Sequence, residues 1–208
     1  MNPLANPLPN PLPNPLRAAD LPERYNAVDI LERNLAVRAN KVALVSDTRS
    51  LTFGAAAAEV NQVANGLRAL DVRFGETVAL LCLDTPEFVT AFFGTMKIGA
   101  VAASFNTLLR PADYAFLLDD CRARVLFVDA RLLGAVEALR ADAPWLRHVI
   151  VVGGEDGAGG EGGAIGGGGD SPIGGPIPYD RFIAPQPTSC DAAPTHRDDF
   201  CCLNYSSG

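Results

Sequence analysis

The sequence has little that would support a metal site or a disulfide framework. It contains only two histidines, His148 and His196, and neither has a metal-ligand spacing. The five cysteines are Cys82, Cys121, Cys190, Cys201 and Cys202. They are odd in number and form no C-x-x-C pair. We therefore expect reduced, mainly buried thiols, no metal site, and two histidines that are exposed or hydrogen-bonded.

Positive charge and long apolar runs are also scarce. The chain has 17 Lys and Arg against 24 Asp and Glu, a net charge of −7, and its basic residues are scattered. Its most apolar region, residues 91–105, contains Lys97 and two glycines, whereas a membrane span needs about 18 uninterrupted apolar residues. The first residues lack the basic and apolar pattern of a secretory signal. These features predict a cytoplasmic protein with neither nucleic acid nor a membrane as a partner.

Proline is concentrated in the first residues of the chain. Residues 2–16 repeat Asn-Pro-Leu four times. Each proline removes a backbone donor and disfavours helix in the residue before it. Residues 1–20 are therefore predicted to be a disordered tail. No basic anchor flanks a P-x-x-P motif, so an inert tail is favoured over a docking peptide.

Glycine is concentrated in residues 153–178, which hold 13 of the 20 glycines. A phosphate-binding loop of the Walker type would end in Lys-Ser or Lys-Thr and open a helix, and this stretch does neither. Its composition is typical of a flexible linker or surface insertion. The predicted organisation is thus a tail at 1–20, an α/β unit at 21–152, a linker at 153–178, and a return segment with a strand at 179–208.

Short apolar runs alternate with amphipathic segments between the two low-complexity stretches. The predicted strands are residues 42–45, 78–83, 101–105, 125–128 and 149–152. Several are apolar on both faces, as buried parallel strands are. The fold class indicated is α/β, with a largely parallel sheet flanked by helices.

Four helices are predicted from capping residues and apolar spacing. They follow Thr52, Thr85 with Pro86, Pro111 and Asp129. Gly99 is a stop signal for the second helix. The residues expected to be buried are Ala56, Val60, Val63, Leu67, Leu70, Phe88, Phe92, Met96, Tyr114, Leu117, Leu118, Leu132, Leu133, Val136 and Leu139.

No catalytic constellation is present in residues 20–152, and no catalytic residue is predicted. Asp84 and Asp129 follow predicted strands, at the edge where α/β sheets bind ligands. Each also directly precedes a predicted helix. A role at the start of that helix is therefore the favoured interpretation.

The last residues carry the most informative pattern. An apolar, strand-like run from residue 198 passes into Ser206, Ser207 and Gly208. Such a change releases the backbone from a sheet into a tight loop of exposed N–H groups. Taken alone, a Ser-Ser-Gly sequence is most often a simple turn.

Several stretches together resemble one enzyme family. Tyr205-Ser206-Ser207-Gly208 resembles the opening of the phosphate loop of adenylate-forming (AMP-binding) acyl-CoA synthetases, and residues 96–124 resemble a second conserved segment of that superfamily. Other stretches are similar to its benzoate-CoA ligase branch: Tyr25-Asn26-Ala27, Asp29, Arg33-Asn34-Leu35, Leu51-Thr52-Phe53-Gly54 and Leu81-Cys82-Leu83-Asp84-Thr85-Pro86-Glu87-Phe88. The resemblance covers about residues 21–152 and 198–208, and it implies the amino-terminal subdomain of such an enzyme.

The resemblance implies an ATP-dependent acid-CoA ligase. In that family the carboxylate attacks the α-phosphate of Mg-ATP, and CoA then displaces AMP from the acyl-adenylate. Ser206, Ser207 and Gly208 would begin the cradle for the ATP phosphates, and Tyr205 could either pack or bind. The implied ligands are ATP, magnesium, CoA and a small carboxylic acid, and a homodimer is possible. The family's acid pocket, ribose-binding and magnesium-binding acids and carboxyl-terminal lysine lie beyond Gly208, so no residue here is assigned to them.

Two other interpretations stay open at this point. One keeps the ligase but makes its acid aliphatic, because the specificity pocket is not visible. The other is a non-enzymatic interaction module or remnant. A reading frame that continues past Gly208 with Thr-Gly-x-Pro-Lys-Gly would favour the enzyme.

Limited proteolysis tests the predicted organisation. Residues 1–20 and 153–178 offer too little apolar periodicity to offset the entropy of ordering them. A protease of broad specificity should therefore cut there first, as mapped by mass spectrometry. Protease resistance throughout either segment, or earlier cleavage within residues 21–152, would contradict the prediction.

Overall fold

The computed structural model describes residues 21–47, 49–139, 142–154 and 175–205. The predicted tail at 1–20 and most of the predicted linker, residues 155–174, lie outside these ranges, as do Ser206, Ser207 and Gly208. The described elements, in chain order, are α1 (Asp29–Glu32), α2 (Leu35–Arg38), β1 (Val42–Val45), β2 (Ser50–Thr52), α3 (Phe53–Ala69), β3 (Thr77–Leu81), α4 (Pro86–Lys97), β4 (Val101–Ser104), α5 (Pro111–Asp120), β5 (Val125–Asp129), a 3-10 turn (Ala130–Leu132), α6 (Leu133–Glu137), β6 (His148–Val152), β7 (Ile177–Pro178), α7 (Tyr179–Ile183) and β8 (Cys202–Asn204).

Six of the strands form one parallel sheet in the order β7-β6-β5-β3-β4-β8. Every residue of β3 and β5 is buried, which confirms the predicted parallel sheet with helices on both faces. The prediction for residues 42–45 was right about the strand but not about its sheet. This strand, β1, pairs antiparallel with β2 in a separate hairpin, and its two end residues are exposed.

The crossover connections explain how the chain fills both faces of the sheet. α4 connects β3 to β4 and α7 connects β7 to β8, so both lead to a strand nearer the β8 edge. Both helices pack on the first face of the sheet, together with α3. α5 connects β4 to β5 and α6 connects β5 to β6, so both lead to a strand nearer the β7 edge. These two helices pack on the second face. Crossovers of one handedness must use opposite faces for opposite directions, and this chain obeys that rule.

Side chains of each strand point alternately to the two faces of the sheet and so belong to two separate hydrophobic cores. In β3, Val78 and Leu80 face the first core, whereas Ala79 and Leu81 face the second. Most residues predicted to be buried on the helices lie in these cores or pack against them. The backbone of α4 comes close to α3 at Gly94, where a Cβ atom would approach the Val63 side chain to 2.6 Å. A larger residue at position 94 would therefore force the helices apart.

The predicted helix boundaries agree with the structure at most positions. Thr52 caps α3, because its side chain accepts a hydrogen bond from the Ala55 N–H at 3.1 Å. Thr85 precedes α4 as predicted, but its side chain accepts no capping bond. Gly99 has a φ of 77° and follows the end of α4. Ile177 and Pro178, the last residues of the predicted linker, instead form β7 beside β6.

The cysteines match the sequence expectation in part. All five cysteines are free. Cys82 and Cys121 are buried, but the other three are only half-buried, so the expectation of mainly buried thiols was wrong for those three. Among the described helices, none is both long and apolar enough to span a bilayer.

A polar stripe on α3 holds the segment that returns to β8. Residues 184–201 contain no helix or strand, so their backbone groups need partners from elsewhere. Three of the side chains that provide donors, Asn61, Asn65 and Arg68, lie on one face of α3. Asn65 alone donates to the carbonyl oxygens of Pro187 and Ser189, both at 2.9 Å. The irregular path toward β8 is therefore fixed by side chains of a helix.

A second anchor lies at the end of α4. The Asn26 side chain donates to the carbonyl oxygens of Met96 and Lys97 at 3.1 and 3.2 Å, and to that of Ala193 at 3.1 Å. The Met96 and Lys97 carbonyls also accept backbone bonds from Gly99 and Ala193, so the Asn26 amide adds to these bonds and helps to hold the return segment. The Lys97 ammonium is buried and pairs with Glu32 of α1. Asn26, one of the residues singled out by sequence similarity, thus makes structural contacts.

One buried carboxylate joins four separate parts of the chain. Glu59 of α3 accepts two bonds from Arg49 of the hairpin loop at 2.8 Å, one from Tyr179 of α7 at 2.8 Å, and one from Thr90 of α4 at 3.0 Å. Arg49 also reaches Glu87 at 2.6 Å. Burial alone would raise the pKa of Glu59, but the bonds from Arg49, Tyr179 and Thr90 outweigh burial and hold this pKa below its ordinary value.

Replacing Asn65 tests the polar stripe. Asn65→Ala should lower the free energy of unfolding by about 1 to 2 kcal/mol, because two carbonyl oxygens lose their donor. Hydrogen exchange in residues 184–201 should also become faster. Asn40→Ala, at an exposed turn residue, is the matched control. An Asn65→Ala chain as stable as this control in urea denaturation would show that the stripe does not hold the return segment.

Replacing Glu59 tests the buried cluster through its pH dependence. Glu59→Gln should destabilise the fold by about 3 kcal/mol at neutral pH, since it breaks a largely buried ion pair. The pKa of Glu59 is lower in the folded chain, so its contribution is fully present above its ordinary value of 4.5 and is lost as pH falls through the lowered pKa. The stability difference between wild type and variant should therefore shrink from pH 7 to pH 3.

The control for Glu59 is Asp29→Asn. It breaks the Asp29–Arg33 pair, in which both side chains are more than a third exposed. This change should cost less than about 1 kcal/mol. An equal loss of stability in both variants, or a Glu59→Gln difference that grows as the pH falls, would refute the account.

Candidate functional site

The carboxyl edge of the parallel sheet is where this chain would hold a ligand. The loops after β3 and β5, neighbouring strands, leave toward opposite faces, because α4 packs on the first face and α6 on the second. In α/β sheets, ligands bind at the edge where the loops after neighbouring strands diverge in this way. β4 and β8 end at the same edge, in parallel register from Ala102 opposite Cys202 to Ser104 opposite Asn204.

The two aspartates predicted at this edge have different positions. Asp129 is buried and accepts bonds from the Arg131 backbone N–H at 3.0 Å and from its guanidinium at 2.9 and 3.1 Å. Burial would raise the pKa of Asp129, but the bonds from Arg131 outweigh burial and lower it. The predicted capping role of Asp129 is confirmed. Asp84 is exposed and lies one residue before Thr85, so it is not the N-cap itself.

The loop after β4 is held by its own hydrogen bonds. Phe105 donates its N–H to the carbonyl oxygen of Leu80 at 2.9 Å. The Asn106 side chain accepts from the Leu108 N–H at 2.9 Å, and the Asn106 carbonyl accepts from the Tyr114 hydroxyl at 3.2 Å. These bonds fix the loop directly beside the end of β8.

Tyr205 is the last described residue before the predicted phosphate loop. Its hydroxyl donates to Asp120 Oδ2 at 2.8 Å, and its ring meets that of Phe105 edge-on with centroids 5.8 Å apart. Burial raises the pKa of Tyr205, and the bond to Asp120 raises it further. Of the two roles considered for Tyr205, packing is the one that the structure supports.

Ser206, Ser207 and Gly208 follow Tyr205 directly and lie outside the described residues. Their assignment to the ATP phosphates stays a prediction. What the structure supplies is their starting point, because β8 brings the chain to the carboxyl edge beside the loop after β4. The contacts of Asp120 and Phe105 with Tyr205 were not predicted from the sequence. Asp120 is 85 positions from Tyr205, and only the pairing of β8 with β4 brings the two together.

The described residues of this edge offer few charged groups that are not already paired. Its arginines, Arg110 and Arg131, are paired with Asp113 and Asp129 at 3.1 and 2.9 Å. Within the described ranges, no group of three or more His, Cys, Asp or Glu side chains could hold a metal ion. The residues after Tyr205 have the small, hydroxyl-rich sequence that suits phosphate binding, and their assignment to a triphosphate stays a prediction.

The opposite, amino edge of the sheet contains a cleft of about 300 Å³ whose charged groups are already engaged. Arg124 pairs with Glu76 at 3.3 Å, and the Arg122 guanidinium lies 5.2 Å from the centre of the Trp145 ring. His148 is half-buried nearby. Burial, then Arg124 and Arg147, lowers the pKa of His148.

The second histidine is bound within its own turn. His196 is exposed, and its Nδ1 accepts from the Asp198 N–H at 3.2 Å. His196 thus matches the expectation of an exposed or hydrogen-bonded histidine.

Comparison with known proteins points to one family. The family model described as AMP-binding enzyme matches residues 31–208. Benzoate-CoA ligase of Thauera aromatica is 35% identical over 194 residues, covering 92% of this chain and 33% of the relative. The chain thus spans about a third of the length of that relative.

Two solved structures share the fold as well as the sequence. The anthranilate CoA ligase AuaEII, in complex with anthranoyl-AMP, superposes with a TM-score of 0.82 at 49% identity, covering 93% of this chain and 34% of that one. A benzoate CoA ligase from Burkholderia xenovorans LB400 gives 0.70 at 28% identity, covering 86% and 32%. The parallel sheet with its flanking helices matches the amino-terminal subdomain of adenylate-forming enzymes. Since the family model matches most of its length, the chain belongs to the AMP-binding enzyme family.

Proposed function

We propose that this chain supplies the first α/β subdomain, and the start of the ATP phosphate loop, of an AMP-forming CoA ligase for an aromatic acid. The observation that carries the proposal is the parallel position of β8 beside β4. It brings the chain as far as Tyr205 to the edge at which α/β sheets bind ligands, and Ser206, Ser207 and Gly208 follow Tyr205 directly in the sequence. Because the chain belongs to the AMP-binding enzyme family, the ligand expected at that edge is ATP.

The predicted loop residues would act on the ATP phosphates by hydrogen bonding. Ser206 and Ser207 offer hydroxyl and backbone N–H donors, and Gly208 allows close approach of the main chain. ATP would supply the adenylyl group that activates the acid, and pyrophosphate would leave. Donors fixed in advance stabilise the charge that shifts during this step without further reorganisation. CoA would then accept the acyl group and release AMP.

An aromatic acid is favoured over an aliphatic one by the relatives. Benzoate and anthranilate are named for the three similar proteins, and the solved anthranilate ligase holds an acyl-AMP, the intermediate expected here. Ribose, magnesium, CoA and acid contacts have no assigned residue within the described ranges. The cytoplasmic location and the homodimer stay predictions.

A substrate panel tests this proposal in a longer protein that contains the chain. With benzoate or a close aromatic acid, such a protein should form acyl-CoA, AMP and pyrophosphate. The panel is benzoate, hydroxybenzoates, 2-aminobenzoate, cyclohexane carboxylate, acetate and medium-chain fatty acids, ranked by kcat/KM. Ser206→Ala and Ser207→Ala should each slow adenylate formation by about 10²- to 10³-fold, the usual cost of one donor to transition-state charge.

The controls separate the parts of the proposal. Ser50→Ala, at an exposed serine of β2, should leave the rate unchanged. The 208-residue chain alone should stay at background in ATP–pyrophosphate exchange, since it spans about a third of its relatives. Preference for acetate or a fatty acid would reject the aromatic acid, and formation of ADP would reject the adenylate mechanism.

A further inference from the structure

The residue before the predicted phosphate loop is anchored to a helix of the second face. Tyr205 donates its hydroxyl to Asp120 Oδ2 at 2.8 Å, and Asp120 is the last residue of α5. The Tyr205 ring also packs edge-on against Phe105, at an interplanar angle of 71°. Both contacts join the end of β8 to elements that precede it by many residues in the chain.

The helix that provides this anchor is itself firmly held. Its residues Tyr114, Leu117 and Leu118 are buried in the second core. At its first turn, Asp113 accepts the Arg110 backbone N–H at 3.2 Å and pairs with the Arg110 guanidinium at 3.1 Å. Asp120 is therefore carried by a helix with little freedom to shift.

The strand that is anchored needs such support. β8 has only three residues, and among the described strands it pairs with β4 alone. A three-residue strand paired on one side gives few hydrogen bonds to fix its end. The Tyr205 side chain adds one hydrogen bond and one ring contact at the point where the strand ends.

We propose that Asp120 is a positioning residue for the phosphate loop: it accepts the Tyr205 hydroxyl and so fixes the backbone from which Ser206 and Ser207 continue. The role in catalysis rests on the proposed function of the loop, whereas the anchor itself does not. Small misplacements of positioned groups cost rate steeply, which is why an anchor outside the site affects the chemistry.

The hydrogen bond from Tyr205 to Asp120 should be intact at neutral pH. Burial and Asp120 both raise the pKa of the Tyr205 phenol, so the hydroxyl keeps its proton and continues to donate. Asp120 therefore needs only an acceptor oxygen for this bond. Asp120→Asn keeps a carbonyl oxygen and should preserve the bond, whereas Asp120→Ala should lose it.

Hydrogen exchange on the 208-residue chain tests the anchor without any need for activity. Asp120→Ala and Tyr205→Phe should each speed exchange of the amides of residues 202–205 by about tenfold, the equivalent of one net hydrogen bond. The double variant should exchange no faster, because both changes remove the same bond. Asp120→Asn and the control Asp119→Ala, at its exposed neighbour, should match wild type. Exchange in Asp120→Ala equal to that in Asp119→Ala would overturn the anchor.

Kinetics of a longer protein that contains the chain test the positioning role. In ATP–pyrophosphate exchange, kcat should fall about tenfold in Asp120→Ala and Tyr205→Phe, with the KM for the acid unchanged and full rate in Asp120→Asn. Unchanged rates in an active enzyme would overturn the role. A wild-type protein without exchange for any acid would overturn the proposed function and this catalytic role with it, while hydrogen exchange would still decide the anchor.

Discussion

The parallel pairing of β8 with β4 is the contact on which the candidate site depends. Three residues, Cys202 to Asn204, lie opposite Ala102 to Ser104, although a long stretch of chain separates the two strands. Among the described strands β8 pairs with β4 alone, so this pairing brings the chain to the carboxyl edge at Tyr205. The function inferred for the chain therefore rests on a short strand placed by distant contacts.

Those distant contacts are mostly polar. A side-chain stripe on α3 and the Asn26 amide hold residues 184–201, which have no regular structure. The Glu59 carboxylate joins the hairpin, α3, α4 and α7, and so fixes the point from which the return segment starts. Polar groups inside a fold stabilise it only when their partners are all in place, so these contacts also define a single path toward β8.

The sequence predicted the sheet and its helices better than it predicted their connections. Apolar runs revealed β3 to β6 because buried parallel strands are apolar on both faces. The same argument could not show that residues 42–45 pair in a separate hairpin. A short apolar run has the same composition in a hairpin as in a parallel sheet. Asn65 and Glu59 gave no signal, and Asp120 lay in the family-like stretch without a role, because each acts through partners that only the folded chain brings near. Ser206, Ser207 and Gly208 were found by resemblance, and their role stays a prediction.

A crystal structure of a longer protein containing this chain, bound to a non-hydrolysable ATP analogue and magnesium, tests the central claim most directly. The account predicts phosphate oxygens within hydrogen-bond distance of Ser206 or Ser207, with Tyr205 still bonded to Asp120 behind them. Phosphates bound instead at the amino edge, beside Glu76, Arg124 and Trp145, would contradict it.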